Sequence, residues 1–213
     1  RSSDLYLCLA LDDEEKRARL KVHRDGYVTS RDFCNIAARG FDIVRIPVPF
    51  FLFEDCGPYV ACDNYLDKAF DWALRYNLKI LIDLHTVPGS QNGTDNAGIC
   101  GICQWHTKTE YVDYTLAVLE KMAEKYGNHS ALWGIEVLNE PMCCDTKASA
   151  FLNIGLLQQH YKPVDMDAAK NNSNFTLEFL QNFYREAYAR IRRFMPVDMC
   201  VVFHDAFDLD LWE

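Results

Sequence analysis

Short β-branched runs alternate with amphipathic segments along most of the chain. Four apolar runs have the length and composition of strands: 42–47, 78–84, 132–138 and 199–203. The run at 78–84 is nearly continuous in apolar residues, which is typical of a strand covered on both faces.

Helical periodicity fills the intervals between these runs. The predicted helices are 12–21, 29–40, 63–76, 107–126 and 176–194. Thr29 and Asp32 have capping-box spacing, and Gly40, Gly127 and Pro196 are placed to end three of the helices. Because strands and helices alternate, we predict an α/β fold whose parallel sheet is built from right-handed crossovers.

Two polar segments interrupt this alternation. One covers about 86–106 and is rich in Gly, Asn and Pro, and the other covers about 142–174, where we expect a short helix. Both follow the end of a predicted strand, so we expect both to shape a cleft there. The whole span 1–213 is predicted to be a single domain.

Composition narrows the classes of function. The 213 residues are 49% hydrophobic and 25% charged, with a formal net charge of −9, so a broad nucleic-acid-binding face is not expected. No run approaches the ~18 apolar residues of a membrane span, and no signal peptide opens the chain.

The nine cysteines are odd in number, and Cys34 and Cys200 lie in apolar segments. This pattern predicts buried, reduced thiols and a cytoplasmic location.

Ionisable or amide side chains lie at or near the carboxyl end of every predicted strand. They are Arg45, His85, Asn139, Glu140, His204 and Asp205. Taken singly, Arg45 suits a buried ion pair, His85 a core histidine and Glu140 a helix start. Because parallel α/β folds place their sites at this edge of the sheet, the joint pattern predicts a functional site there.

Several strings at these positions resemble a known family. They are Val-Arg-Ile-Pro at 44–47, Ile-Asp-Leu-His-Thr-Val-Pro-Gly-Ser-Gln-Asn-Gly at 82–93, Asp-Asn-Ala-Gly at 95–98, Gly-Ile-Glu-Val-Leu-Asn-Glu-Pro at 134–141 and His-Asp-Ala-Phe at 204–207. In this order, over about 25–207, they resemble glycoside hydrolase family 5, and within it the exo-β-1,3-glucanases and related β-glucosidases.

The resemblance implies part of a (β/α)8 TIM barrel, with about four of its strands in this chain, and retaining hydrolysis of β-glucosides without metal or cofactor. It implies that Glu140 is the general acid/base and that Asn139 binds the sugar 2-hydroxyl. It further implies that Arg45 and His85 line the catalytic subsite and that Asn96 contacts an oligo- or polysaccharide substrate.

These roles agree with the chemistry of glycosidic bonds. A glycosidic oxygen is a poor leaving group unless it is protonated as the bond breaks, so the acid must keep its proton near neutral pH. Burial and a nearby carboxylate have that effect on a carboxyl group. Glu136 shares strand parity with Glu140 and is a candidate for supporting it from inside the barrel.

The chain also departs from the family pattern. Thr94 stands where family members usually have an aromatic residue, and the Cys-rich stretch 99–106 is not typical. The family's nucleophile, a Glu on the seventh strand, has no counterpart here. Retaining hydrolysis needs two carboxyl groups ~5–5.5 Å apart. We therefore expect further sequence, or a partner chain, to complete the barrel and cover its unpaired edges.

Three other interpretations remain open. Cys100, Cys103 and His106 have metal-like spacing, with Cys143 and Cys144 as further candidate zinc ligands. Asp83-x-His85 is a weak metallohydrolase pattern. A partial barrel that binds sugar without hydrolysing it is the non-enzymatic alternative. A Rossmann-type nucleotide domain is disfavoured, because Pro47 replaces the Gly-rich turn expected after its first strand.

Overall fold

A computed structural model describes residues 8–142, 162–163 and 165–212. Its elements in chain order are as follows. The helices are α1 (Asp13–Tyr27), α2 (Ser30–Ala38), α3 (Asp63–Arg75), α4 (Thr109–Tyr126), α5 (Met166–Ala169) and α6 (Leu177–Ile191). The strands are β1 (Ile43–Val48), β2 (Lys79–Leu84), β3 (Leu132–Glu136) and β4 (Cys200–Val202). Short 3-10 turns cover Trp105–Thr107 and Leu209–Trp212.

The four strands form one parallel sheet in the order β1-β2-β3-β4. The predicted alternation of strands and helices is therefore confirmed. In the described part of the chain β1 and β4 are the edges of the sheet, and β2 pairs on both sides. On β2, Ile80, Ile82 and Leu84 are fully buried on one face, whereas on the other face Leu81 is half-buried and Asp83 is buried.

The helix boundaries follow from capping groups. Thr29 and Asp32 form the predicted capping box before α2, and Thr176 accepts a bond from the backbone N–H of Phe179 at the start of α6. The first helix is longer than predicted and continues through Gly26 to Tyr27. α4 begins at Thr109 and not at 107, since Trp105–Thr107 forms a separate 3-10 turn.

The main hydrophobic core lies between the sheet and the helices that connect its strands. Met122 of α4, Leu180 and Ile191 of α6, and Ile135 of β3 are completely buried in it. Trp105 is also fully buried and donates its indole N–H to Thr115 Oγ1 at 3.1 Å. These contacts fix the strands whose ends carry the predicted site.

A mainly apolar cavity of ≈680 Å³ lies beside the exposed edge of β1. It is lined by α1, α2, α3 and by residues 44–49 of β1 and the loop after it. Among the predicted site residues only Arg45 lines it. No helix in the described ranges is both long enough and apolar enough to cross a membrane.

Four of the described cysteines differ from the prediction of buried thiols, among them Cys34 and Cys200, which lie in the apolar segments. Cys34 is exposed, because it follows the buried Phe33 on α2 and therefore points to another side of the helix. Cys200 is half-buried on the edge strand β4. Cys103 is buried, as predicted. Cys143 and Cys144 lie outside the described residues.

Candidate active site

Three charged side chains lie on one face of the sheet, near the carboxyl ends of its first three strands. Pro47, Asp83 and Glu136 are aligned across β1, β2 and β3, and Arg45 lies two residues before Pro47. Because side chains alternate between faces along a strand, Arg45, Asp83 and Glu136 share the face opposite to the buried Ile82. The sheet register therefore brings one guanidinium and two carboxylates together.

Arg45 is the centre of this group. Its Nε donates to Glu136 Oε2 at 2.6 Å and its Nη2 to Glu136 Oε1 at 2.8 Å. Nη2 also lies 2.9 Å from Asn139 Oδ1 and 3.0 Å from Asp83 Oδ2. The hydrogen bonds with Glu136 raise the pKa of Arg45 above its usual value, so the guanidinium stays charged.

Asp83 is completely buried and lies against His85. Its Oδ2 is 2.6 Å from His85 Nδ1, and burial raises the pKa of Asp83 although His85 and Arg45 oppose the shift. A carboxylate at Nδ1 holds the histidine ring with that nitrogen as the donor, which leaves Nε2 as an acceptor. In the sequence Asp83 belonged only to a weak metallohydrolase pattern, whereas in the structure it contacts two predicted site residues, Arg45 and His85.

Asn139 follows β3 and is 4% exposed. Its backbone N–H donates to Leu84 O at 3.0 Å, which continues the pairing with β2 beyond the strand. A guanidinium has only donors, so the bond from Arg45 requires the amide oxygen to face Arg45. The amide nitrogen then faces away and has no hydrogen-bond partner among the described residues.

Glu140 has an unusual backbone for a residue with a side chain. Its φ is +44°, and it precedes Pro141. A left-handed conformation at a non-glycine residue costs about 1–3 kcal/mol and persists only where the surroundings enforce it. The carboxylate Oε2 accepts a hydrogen bond from Asn96 Nδ2 at 3.1 Å, so the loop after β2 contacts the candidate acid directly.

The structure thus brings all five predicted site residues to one edge of the sheet: Arg45, His85, Asn96, Asn139 and Glu140. The contacts of Glu136 go to Arg45 and not to Glu140, because β3 ends at Glu136 and the strand parity does not extend to residue 140. His204 and Asp205 make local contacts: His204 Nδ1 accepts from Ala206 N, and Asp205 Oδ1 from Phe207 N, each at 2.9 Å.

Sequence reasoning missed two further residues of this region. Gln91 and Asn92 are buried, and their side-chain amides donate to the backbone carbonyls of Asn139 and Glu140. The only signal in the sequence is the string at 87–93, which carried the family resemblance without an assigned role.

The candidate metal ligand His106 has a hydrogen-bond partner in another loop. His106 Nε2 lies 2.9 Å from Ser173 Oγ, and burial lowers the pKa of His106 and raises that of Cys103 to about 12. Within the described ranges no three His, Cys, Asp or Glu residues are grouped as metal ligands would be. Cys143 and Cys144 lie outside those ranges.

Comparison with known proteins gives a family match over most of the chain. The sequence model of the family described as Cellulase (glycosyl hydrolase family 5) matches residues 19–201. A glucan 1,3-beta-glucosidase of Pichia angusta is 39% identical over 171 residues, covering 78% of this chain and 38% of that protein. Glucan 1,3-beta-glucosidase 2 of Candida albicans is 32% identical over 99% of this chain and 40% of its own length.

Solved structures show the same fold. A rutinosidase from Aspergillus niger matches with a TM-score of 0.69 at 21% identity, over 91% of this chain and 52% of the rutinosidase. The chain spans about two fifths of the length of the curated relatives that it matches. Its four parallel strands and their helices are part of a (β/α)8 barrel, and the chain belongs to glycosyl hydrolase family 5.

Proposed function

We propose that the protein containing this chain hydrolyses β-glucosidic bonds of a β-glucan or β-glucoside by a retaining mechanism. The observation that carries the proposal is the placement of Glu140. Its carboxylate lies at the carboxyl edge of the sheet, bonded to Asn96 and next in sequence to Asn139, which Arg45 orients. The two named relatives are glucan 1,3-beta-glucosidases, so a β-1,3-glucan is the first substrate to test.

The first chemical step follows from these groups. Glu140 donates its proton to the glycosidic oxygen as the bond to the anomeric carbon breaks, and a second carboxylate forms the glycosyl–enzyme bond. In the second step Glu140 takes a proton from water, which attacks the anomeric carbon and releases the sugar with its original configuration. The amide nitrogen of Asn139 has no hydrogen-bond partner among the described residues, which supports the proposal that it donates to a sugar hydroxyl. A contact of this kind that strengthens in the transition state lowers the barrier.

The second carboxylate is a separate part of the proposal. Asp83 and Glu136 are the carboxylates nearest to Arg45, but both are buried and held by that guanidinium or by His85. They are poor nucleophiles in that arrangement. We propose that the nucleophile comes from outside the 213 residues, in the same chain or in a partner that completes the barrel. Glucan turnover by purified residues 1–213 that is abolished by Glu140→Gln would contradict this.

The test of the function compares two substrates in the full protein. Glu140→Gln removes the acid, so hydrolysis of a β-1,3-glucan should fall by about 10²–10⁴-fold. The first step with a dinitrophenyl β-glucoside should be nearly unchanged, because that leaving group needs no protonation. Added azide should restore turnover of the activated substrate, since an anion needs no general base to attack.

The control is Glu124→Gln, on the exposed side of α4, which should change neither rate. The anomeric configuration of the first product is followed by proton NMR and should match that of the substrate. If Glu140→Gln lowers the rates of both substrates equally, the acid role is wrong. Sugar binding without turnover by the intact wild type would favour the non-catalytic alternative.

A further inference from the structure

Two consecutive amide side chains in the turn after β2 contact the backbone around Glu140. Gln91 is completely buried, and its Nε2 donates to His85 O at 3.0 Å and to Asn139 O at 2.9 Å. Both N–H groups of this amide are thus used on carbonyls that follow different strands. Gln91 joins the ends of β2 and β3 beyond the last residues of their ladder, Asp83 and Glu136.

Asn92 makes the neighbouring contact. It is 2% exposed, and its Nδ2 donates to Glu140 O at 2.9 Å. Its Oδ1 accepts from the backbone N–H of Thr94 at 2.9 Å and from Thr94 Oγ1 at 2.8 Å. The amide is therefore fixed on its oxygen side by Thr94 and directs its nitrogen at the Glu140 carbonyl.

These two contacts lie on either side of the rotatable backbone bonds of Glu140. The carbonyl of Asn139 belongs to the peptide plane before φ of Glu140, and the carbonyl of Glu140 belongs to the plane after its ψ. Holding both planes fixes both dihedrals. That constraint is needed here because Glu140 has φ +44° and precedes Pro141, a conformation that a free chain rarely adopts.

We propose that Gln91 and Asn92 are positioning residues that hold the backbone of Glu140 so that its carboxyl group meets Asn96 and the glycosidic oxygen. The proposal rests on the proposed acid/base function of Glu140. Side-chain amides suit this task because they supply N–H donors to buried carbonyls without burying a charge.

The test uses the full protein with Asn92→Leu, which removes all three hydrogen bonds of the amide and keeps the number of side-chain heavy atoms. A misplacement of about 1 Å at a reacting group costs up to about 100-fold in rate. We expect kcat on a β-1,3-glucan to fall by about 10–100-fold with KM within about 3-fold, since the change acts on the acid. The first step with the dinitrophenyl β-glucoside should fall by less than about 3-fold.

Asn172→Leu is the matched control. Asn172 makes the same pair of bonds in another loop: Nδ2 donates to Gly101 O at 2.7 Å, and Oδ1 accepts from Cys103 N at 2.9 Å. Loss of a purely structural bond lowers the amount of folded enzyme, so this variant should reduce the rates of hydrolysis of both substrates by one common factor. If Asn92→Leu reduces the rates on the two substrates by equal factors, the proposal is overturned.

A second measurement tests the positioning separately from poor folding of the variant and from failure of the proposed function. Asn92→Asp keeps the acceptor for Thr94 but removes the donor to Glu140. A crystal structure of this variant should show the Glu140 carboxyl moved away from Asn96 within an unchanged sheet, and an unmoved Glu140 would overturn the proposal. If instead Glu140→Gln shows no dependence on the leaving group, the acid function is wrong, while the crystal structure still decides the positioning.

Discussion

Arg45 binds Glu136 through two parallel hydrogen bonds, from Nε at 2.6 Å and from Nη2 at 2.8 Å. This fork uses the planar donor geometry that lysine lacks, so it fixes the plane of the guanidinium as well as its position. The same Nη2 contacts Asn139 Oδ1 at 2.9 Å. The orientation of Asn139 therefore depends on a carboxylate that it does not touch.

The first prediction concerns this pair. Glu136→Gln replaces one acceptor oxygen by a donor that faces a donor of Arg45. Breaking a fully buried pair costs several kcal/mol, and because the Arg45 side chain is 40% exposed we expect a smaller loss of about 2 kcal/mol in the free energy of unfolding. Urea denaturation at pH 7 measures it.

Glu120→Gln is the control for the first prediction. Glu120 Oε1 lies 2.9 Å from Arg193 Nη1, but this pair is on the surface, with Arg193 59% exposed. Exposed pairs contribute little, so we expect a loss below about 1 kcal/mol. Equal losses in the two variants would contradict the special role of Glu136.

The sequence predicted the element order and the placement of the site for a definite physical reason. In a parallel sheet all carboxyl ends lie at one edge, so residues at or near the ends of β1, β2 and β3 lie close together even though they are far apart in sequence. That is why Arg45, His85 and Glu140 were found without coordinates. The strands were recognisable because buried parallel strands are nearly continuous in apolar residues.

Other contacts could not be predicted from the sequence, because they depend on the register of the strands and on the conformation of the loops. Which carboxylate faces Arg45 is decided by the alignment of Asp83 with Glu136, and no spacing along the chain encodes it. The contacts of Gln91 and Asn92 require a turn that returns to the end of β3. The exposure of Cys34 depends on how α2 is rotated about its own axis. The rotation that buries Phe33 turns the next residue, Cys34, towards the surface.

The second prediction concerns Gly134 on β3. A Cβ atom at this position would lie 2.5 Å from Cys200 O and 2.8 Å from Cys200 Cβ. The main obstacle is backbone of β4, which cannot move aside without breaking the pairing of the two strands. Gly134→Ala should therefore lower the free energy of unfolding by about 2–3 kcal/mol.

Gly26→Ala is the matched control for Gly134. Gly26 lies in α1, and nothing is within 4 Å of a Cβ atom added there. Alanine has the higher helix propensity, so this variant should raise the free energy of unfolding by about 0.5 kcal/mol. Thermal melting or urea denaturation of both variants measures the difference. If Gly134→Ala leaves the free energy of unfolding unchanged, β3 and β4 approach each other less closely than the distances to Cys200 indicate.

The third prediction concerns thiol reactivity. The thiolate is the reactive form, and burial raises the pKa of Cys103 to about 12, whereas Cys34 is exposed. In the native protein an alkylating reagent at pH 8 should label Cys34 within minutes and Cys103 only after denaturation. Peptide mass spectrometry follows the peptides that contain Cys34 and Cys103 separately, so labelling of the partly exposed cysteines does not affect the comparison. Rapid native labelling of Cys103 would contradict its burial.

The last prediction is a pH dependence of stability caused by Asp83. Its carboxyl group is fully buried and faces His85, Arg45 and Glu136, and burial is the largest influence on it, raising its pKa above the ordinary 3.8. A carboxyl group whose pKa is raised by folding stabilises the folded state below the unfolded pKa, and that stability is lost as pH rises through the folded pKa.

In Asp83→Asn this loss is absent. The free energy of unfolding of the wild type minus that of the variant should therefore decrease as pH rises from about 4 to 7. Urea denaturation at several pH values measures this difference, and the titrations of groups that Asp83 does not contact cancel. Asp32→Asn is the control of opposite sign, because hydrogen bonds from Thr29 lower the pKa of Asp32 below the ordinary 3.8. Its difference should increase with pH only below about pH 5 and stay constant above it, since a lowered pKa adds stability that is complete above the unfolded pKa. A difference for Asp83 that increases with pH would mean that Arg45 and His85 outweigh burial, and that the folded protein holds this carboxylate in its charged form.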